Sequence, residues 1–309
     1  MDQLAALRAF SRVVEAGTFT RAAEMLGMPK PTLSKLIQGL EAHLRTKLLN
    51  RTTRRVTVTA DGAAYYDRAV RILADLDELD SSMTLSQASP KGRLRIDISA
   101  SLALQILIPA LPRFHARYPD IQIDLGVTDR PVDLVGENVD CVVRAGEITD
   151  QSLIARRIAE FHFVFCAAPS YLAQHGAPRH PAELERNHAM VGYFSSGAAR
   201  PFPLTFIRGD EQEEIAGRTI VAVNDGNAYL AAGLAGLGVV AVPHFTVEQH
   251  LGAGTLVPVL PEWSMPAVPL YVVYPPNRHL STKLRIFVDW VAELFAASLL
   301  RPDPRVREP

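Results

Sequence analysis

Residues 29–35 read PKPTLSK, in which two prolines and two lysines surround a threonine and a serine. Hydroxyl and ammonium groups at this density can hydrogen-bond phosphate oxygens and the edges of bases. A helix carrying them in its first turn adds a further attraction, because the free N–H groups of a helix N-terminus draw anions. Lys30, Pro31, Thr32, Ser34, Lys35 and, one turn on, Gln38 are therefore candidates for contact with a nucleic acid.

Elements able to hold those groups outward surround them. Leu4, Leu7, Phe10, Val13 and Val14 recur at spacings of three and four, which predicts an amphipathic helix ended by Gly17. Thr18 or Thr20 can cap a second helix with Phe19, Ala22, Ala23 and Leu26 inside, closed by Gly27. Pro31 suits the first turn of a third, which buries Leu33, Leu36, Ile37, Leu40 and Leu44. The pattern is a helix-turn-helix whose recognition helix begins near Pro31. Helical hairpins also occur in proteins that meet no nucleic acid, so the next segment matters. Residues 48–59, LLNRTTRRVTVT, are two short β-like runs around a basic tip. Arg51, Thr53, Arg54 and Arg55 there could contact the DNA backbone or minor groove, as a basic wing does; a solvated basic turn is the plain alternative.

From Thr59, a helix cap by position, a long helical pattern runs through residues 60–85. Tyr66, Ala69, Leu73, Leu76, Leu79 or Asp80, and Met83 form a near-heptad seam, suited to pairing with a second copy or to folding back on its own domain. SQASPKG at 86–92 then reads as a hinge.

Charge divides along the same line. Residues 1–60 carry ten Lys and Arg against four acids, a net of +6, whereas the whole chain of 309 residues is at −1. A basic module that meets a polyanion and a larger acidic module with another task are implied. The hydrophobic content of 48% fits a soluble globular protein. No signal peptide pattern opens the chain and no apolar run is long enough to span a bilayer, so a cytoplasmic protein with no membrane partner is expected. Cys141 and Cys166 lie in apolar β-like runs and read as two buried free thiols.

After residue 93, strand-like runs alternate with helical ones, the latter near 103–117, 131–137, 227–236 and 281–299. Such alternation predicts α/β construction with largely parallel sheets, in two lobes around a cleft. Candidates for the cleft follow the strands: Ser99, Ala100 and Ser101, then Thr128, then Asn224 and Asp225. Arg144 and Arg200 could pair with a carboxylate on a small molecule, though Arg144 could equally sit in an internal salt bridge. Asp225 reads better as a helix cap. Catalytic and metal signatures fail: there is no P-loop and no H-E-x-x-H or G-x-S-x-G, and the nine histidines lack ligand spacing.

Taken together, GTFTRAAEMLGMPKPTLSKLIQGLEAHL, LLNRTTRRVTVTADG, VDCVVRAGEI, SLIARRI, VNDGNAYLAAGLAGLGVVAVP and HLSTKLRIFVDWV resemble the LysR-type transcriptional regulators in order and spacing. That resemblance implies an N-terminal all-α winged helix-turn-helix (1–59), then a dimerising linker helix and hinge (60–89). An α/β effector domain (90–309) of two lobes resembling type 2 periplasmic binding proteins would follow, with lobe I at 90–161 and 267–309 and lobe II at 162–266. It further implies double-stranded DNA with an interrupted palindrome, a homodimer or homotetramer, RNA polymerase as a partner, and a small-molecule effector but no cofactor. Lys30, Pro31, Thr32, Ser34 and Lys35 match the family's DNA-reading positions and Arg51, Arg54 and Arg55 its wing, while Ser99, Ser101, Thr128 and Phe202 match positions lining the effector cleft. Two departures stand out: Arg45 replaces a frequent glycine after the recognition helix, and Leu49 replaces a frequent phenylalanine. An effector-independent repressor, or a small-molecule binding protein or enzyme with a dimerising N-terminal domain, are the alternative readings.

Overall fold

The computed structural model describes residues 2–51, 56–83, 90–148, 150–195, 198, 200–276 and 280–299, with the backbone alone at 51, 71, 74–75 and 77–83. The chain divides into two units, residues 1–88 and 89–309, each built around its own core.

In the first unit, helices α1 (Gln3–Ala16), α2 (Phe19–Met25) and α3 (Lys30–Leu44) precede a hairpin of β1 (Leu49–Arg51) and β2 (Val56–Val58) and the long helix α4 (Ala60–Met83). Asp2 and Thr18 cap the first two helices with their side chains, and Gly17 closes α1 in the left-handed conformation. Leu7, Phe10, Val13, Leu33, Ile37 and Leu40 are buried together with Ala22, Ala23, Leu48 and Leu49. Each large apolar side chain so buried contributes roughly 1.5–3 kcal/mol. Leu36 and Leu44 pack only partly against this core. Thr59 caps α4 as its position suggests: its hydroxyl accepts from Gly62 N–H at 2.9 Å and donates to the Lys47 carbonyl at 2.7 Å. Gly62 is required there, since a Cβ would stand 2.1 Å from the Leu48 carbonyl oxygen. The first turns of α4 fold back onto α1, with Tyr65 and Tyr66 edge-on to Phe10 at 5.7 and 6.4 Å between ring centres.

The second unit holds two lobes. Lobe I is a five-stranded sheet in the order β4 (Ile121–Val127), β3 (Gly92–Ile98), β5 (Cys141–Ala145), β14 (Val268–Tyr274), β6 (Ile154–Phe161). Helix α5 (Ala100–Leu102) continues through a π turn (Ala103–Leu107) into α6 (Ile108–Arg117), and this run and α11 (Thr282–Leu299) share one apolar core with the sheet. Lobe II sets β7 (Phe163–Ala167) between β12 (Val240–Pro243) and β13 (Val257–Pro258), and pairs β8 (Ala189–Tyr193) with β11 (Arg218–Val223) and β9 (Leu204–Arg208) with β10 (Glu211–Ile215). Helices α7 (Pro169–His175), α8 (Glu183–Arg186), α9 (Gly226–Leu234) and α10 (His244–Gly252) complete it. The chain crosses between lobes at His162, between β6 and β7, and again between β13 and β14.

Two expectations need correction. The sheets are mixed: β3 runs parallel to β4 and β5, but β14 is antiparallel to β5 and β6, and β12 and β13 are antiparallel to β7. A returning strand that enters its sheet from the other lobe reverses the direction that a simple strand–helix alternation sets. The helix expected at 131–137 is instead a series of turns. Asp133 accepts the Val135 and Gly136 amides with its own carboxylate at 3.1 and 2.9 Å, a local bond that competes with helix formation.

Candidate DNA-reading face and interlobe site

Burial of Leu33, Ile37 and Leu40 on one side of α3 forces the opposite side outward. Lys30, Pro31, Thr32, Lys35 and Gln38 are exposed on it and Ser34 is half-buried. Pro31 stands in the first turn, where its missing N–H breaks no helical bond. Pro29 occupies the cap position and supplies no side-chain acceptor, in contrast to Asp2 on α1 and Thr18 on α2. Four lysine and hydroxyl side chains thus flank a helix terminus to which its cap residue gives no side-chain acceptor, an arrangement that suits a phosphate. Arg51 ends β1 opposite Val56, which places its backbone at the last pair of the ladder before the turn. Thr53, Arg54 and Arg55 lie outside the described residues.

Glu41 joins this helix to the hairpin. It is 5% exposed, and its Oε1 accepts the Leu48 and Leu49 amides at 3.0 and 3.2 Å. The Lys47 ammonium lies 3.7 Å from Oε2. Arg45 turns the chain out of α3 by adopting the left-handed conformation itself, at φ 53°.

In the second unit the segments after β3 and β4 meet the N-terminus of α9. Ser99 precedes α5 as its cap residue without a capping hydrogen bond from its side chain, and its carbonyl accepts the Ala103 amide. Thr128 donates its N–H to the Ile98 carbonyl at 3.1 Å and accepts the Arg130 amide on its hydroxyl at 3.1 Å. A Cβ added at Gly226, the first residue of α9, would lie 3.5 Å from Ser101 Oγ and 3.7 Å from an oxygen of Asp129. Ser101 of lobe I therefore lies beside the start of α9, and Asp129 links the Ala100 amide to the Gly226 amide. Asn224 is exposed just before it, and Asp225 caps the helix by accepting the Ala228 amide at 2.8 Å.

Arg144 is held from within. Its guanidinium pairs with the buried Asp97 and donates to the Val143 and Arg130 carbonyls at 3.1 and 3.3 Å. Phe202, 51% exposed, donates its amide to the Tyr193 carbonyl at 2.8 Å. Arg200 is exposed two residues earlier. Three residues absent from the sequence-derived set belong here: Asp129, Tyr193 and Gly226. The Tyr193 hydroxyl is pushed up to about 12 by burial and by the charges of Asp129 and Asp225, with Arg144 opposing them. Asp129 adjoins Thr128 in the sequence, but its partners are backbone amides, which leave no side-chain pattern to read.

Comparison with known proteins agrees with both halves. Residues 4–63 match the "Bacterial regulatory helix-turn-helix protein, lysR family", and residues 87–296 match the "LysR substrate binding domain". An HTH-type transcriptional repressor of Pseudomonas aeruginosa strain UCBPP-PA14 is 40% identical over 296 residues, 96% of this chain and 93% of the relative. Among solved structures, full-length AphB, the Vibrio cholerae virulence activator, is 30% identical with a TM-score of 0.58, over 94% of this chain and 99% of that one. CrgA from Neisseria meningitidis is 31% identical with a TM-score of 0.59, over 94% and 97% of the two chains. A helix-turn-helix unit in front of a two-lobed α/β domain is the outline these matches cover, and the chain belongs to the LysR family of transcriptional regulators.

Proposed function

We propose that the regulator reads an interrupted palindrome with Lys30, Pro31, Thr32, Ser34, Lys35 and Gln38 in the major groove and the Arg51, Thr53, Arg54 and Arg55 hairpin on the backbone or minor groove. The observation that carries this is the exposed polar face of α3, which begins at a terminus left without a side-chain cap. Two recognition helices need two copies, and α4 is the element proposed to pair them, giving a dimer and then a tetramer. A small-molecule effector is proposed to bind between the lobes, beside Ser99, Ala100, Ser101, Thr128, Arg200, Phe202 and Asn224, with Arg144 supporting that site. Its arrival would alter how the paired subunits bend DNA and meet RNA polymerase, in the cytoplasm. The proposed response is to effector binding, with no cofactor expected.

Selection of bound duplexes from a random library tests the reading. A two-fold symmetric site is expected, with affinity falling as salt rises because Lys and Arg contacts release counterions. Binding without sequence preference would refute the recognition-helix assignment. Replacing Ser34 and Lys35 with Ala should cost the selected site about 1–3 kcal/mol, with little change on unrelated DNA beyond the loss of one charge.

A further inference from the structure

Asp129 lies two residues beyond the end of β4 in lobe I, yet it is bonded to both lobes. Its Oδ1 accepts the Ala100 amide at 3.2 Å, at the start of α5, and its Oδ2 accepts the Gly226 amide at 2.9 Å, at the start of α9. Both donors are first-turn amides with no acceptor inside their own helices. One carboxylate therefore satisfies an orphan donor on each lobe. Asp225 does not compete for this role, because its side chain is committed to the Ala228 amide.

The loop that presents Asp129 is tied down on both sides. Thr128 is bonded to Ile98 before it, and Arg130 after it is paired with Glu137. Arg144, fixed by Asp97, donates to the Arg130 carbonyl. Asp129 is thus a lobe I group held out rigidly towards lobe II.

We propose that Asp129 is a built-in latch that holds the two lobes together, occupying from within the pair of amides that a bound acceptor group would otherwise bridge. Opening the lobes breaks the Gly226 bond, and a ligand acceptor that takes the Gly226 amide must displace the Asp129 carboxylate. The Arg144–Asp97 pair then acts on the latch as a positioning element. The latch requires only the two-lobed architecture, so it stands or falls separately from the identity of the effector and from the DNA site.

The test uses the full-length chain with nitroxide labels on Glu147→Cys in lobe I and Glu185→Cys in lobe II, diluted with unlabelled chain. Both positions are exposed, and the native Cys141 and Cys166 are buried. D129A removes the carboxylate. G226P removes the lobe II donor at a helix position that suits proline, and Asp225 before it already has the extended backbone a proline demands. Both variants should shift the interlobe distance to longer values and broaden its distribution. Added formate should shorten it again in D129A but not in G226P, which has no amide to offer. Circular dichroism checks folding, and D129L, similar in size but with no acceptor oxygen, replaces D129A if the latter is unstable. A distance unchanged in either the carboxylate variant or G226P would overturn the latch and leave Asp129 as a helix cap only.

Discussion

Glu41 accepts the Leu48 amide at 3.0 Å from a position inside the recognition helix, so the helix and the start of the hairpin move as one piece. Leu49 shares the same oxygen. Removing the side chain leaves two buried amides without their acceptor, at a cost of about 1–3 kcal/mol. E41A should therefore lower the stability of the first unit by that amount and weaken operator binding more than the loss of a distant acid would. E41Q retains one acceptor oxygen and should recover most of the loss. Chemical denaturation followed by tyrosine fluorescence gives the first quantity, and titration of the operator gives the second.

Arg45 holds a backbone conformation that costs a side-chain-bearing residue about 1 kcal/mol or more. The turn forms with arginine in place: Thr46 donates to the Glu41 carbonyl at 3.1 Å. R45G should stabilise the first unit by about 0.5–1 kcal/mol, since relief of strain outweighs the added freedom of the unfolded chain. A fall in denaturation midpoint for R45G would show that the arginine side chain makes a compensating contact.

The helices of the first unit were legible because apolar side chains at spacings of three and four can be buried in only one way, and because Gly17, Pro31 and Thr59 mark their ends. The strand at 154–161 was not. Ile154 to Arg157 are exposed on an edge strand paired only with β14, so the segment shows little apolar alternation to read. Sheet direction was misjudged for a related reason, since the pairing of β14 depends on a chain crossing between lobes and not on any local pattern. Between the lobes, Ser101 could be picked out as a side chain that follows a strand, and it lies beside Gly226. Asp129 could not, because its meaning comes from the Gly226 amide 97 residues away.

Arg144 and Asp97 illustrate how a cation that suggests ligand binding can instead be consumed internally. Asp97 is 6% exposed and lies against Gly126, where a Cβ would meet its carboxylate. R144M strands that carboxylate and should destabilise the second unit by about 3 kcal/mol. Adding D97N to R144M should restore much of the loss, because the uncompensated charge is gone. Equal destabilisation in the single and double variants would mean that the arginine acts through packing alone. Thermal unfolding of the four proteins closes the cycle.

His188 is buried, its Nδ1 3.3 Å from the Tyr171 hydroxyl, and burial lowers its pKa from the usual 6.5. Glu183 opposes that shift, and His175 adds to it. Above 6.5 both folded and unfolded chains hold it neutral. As pH falls below that value the unfolded chain takes up a proton that the folded one resists, so stability drops until the folded pKa is passed. Denaturation midpoints measured from about pH 7.5 to 5.5 should fall less steeply in H188Q than in the parent. Parallel slopes would show that His188 does not carry the pH dependence.

Both cysteines are shut away from reagents and from ionisation. Burial raises the thiols of Cys141 and Cys166, the latter to about 12. Reaction with an aromatic disulfide depends on the thiolate, so at about pH 8 the native protein should release almost no colour. Denaturant should then release two equivalents, one for each cysteine in the chain. Rapid reaction of one thiol without denaturant would reveal an opening of the β5 or β7 region. That outcome would connect local unfolding of a lobe to thiol chemistry, and tight protection would exclude that connection.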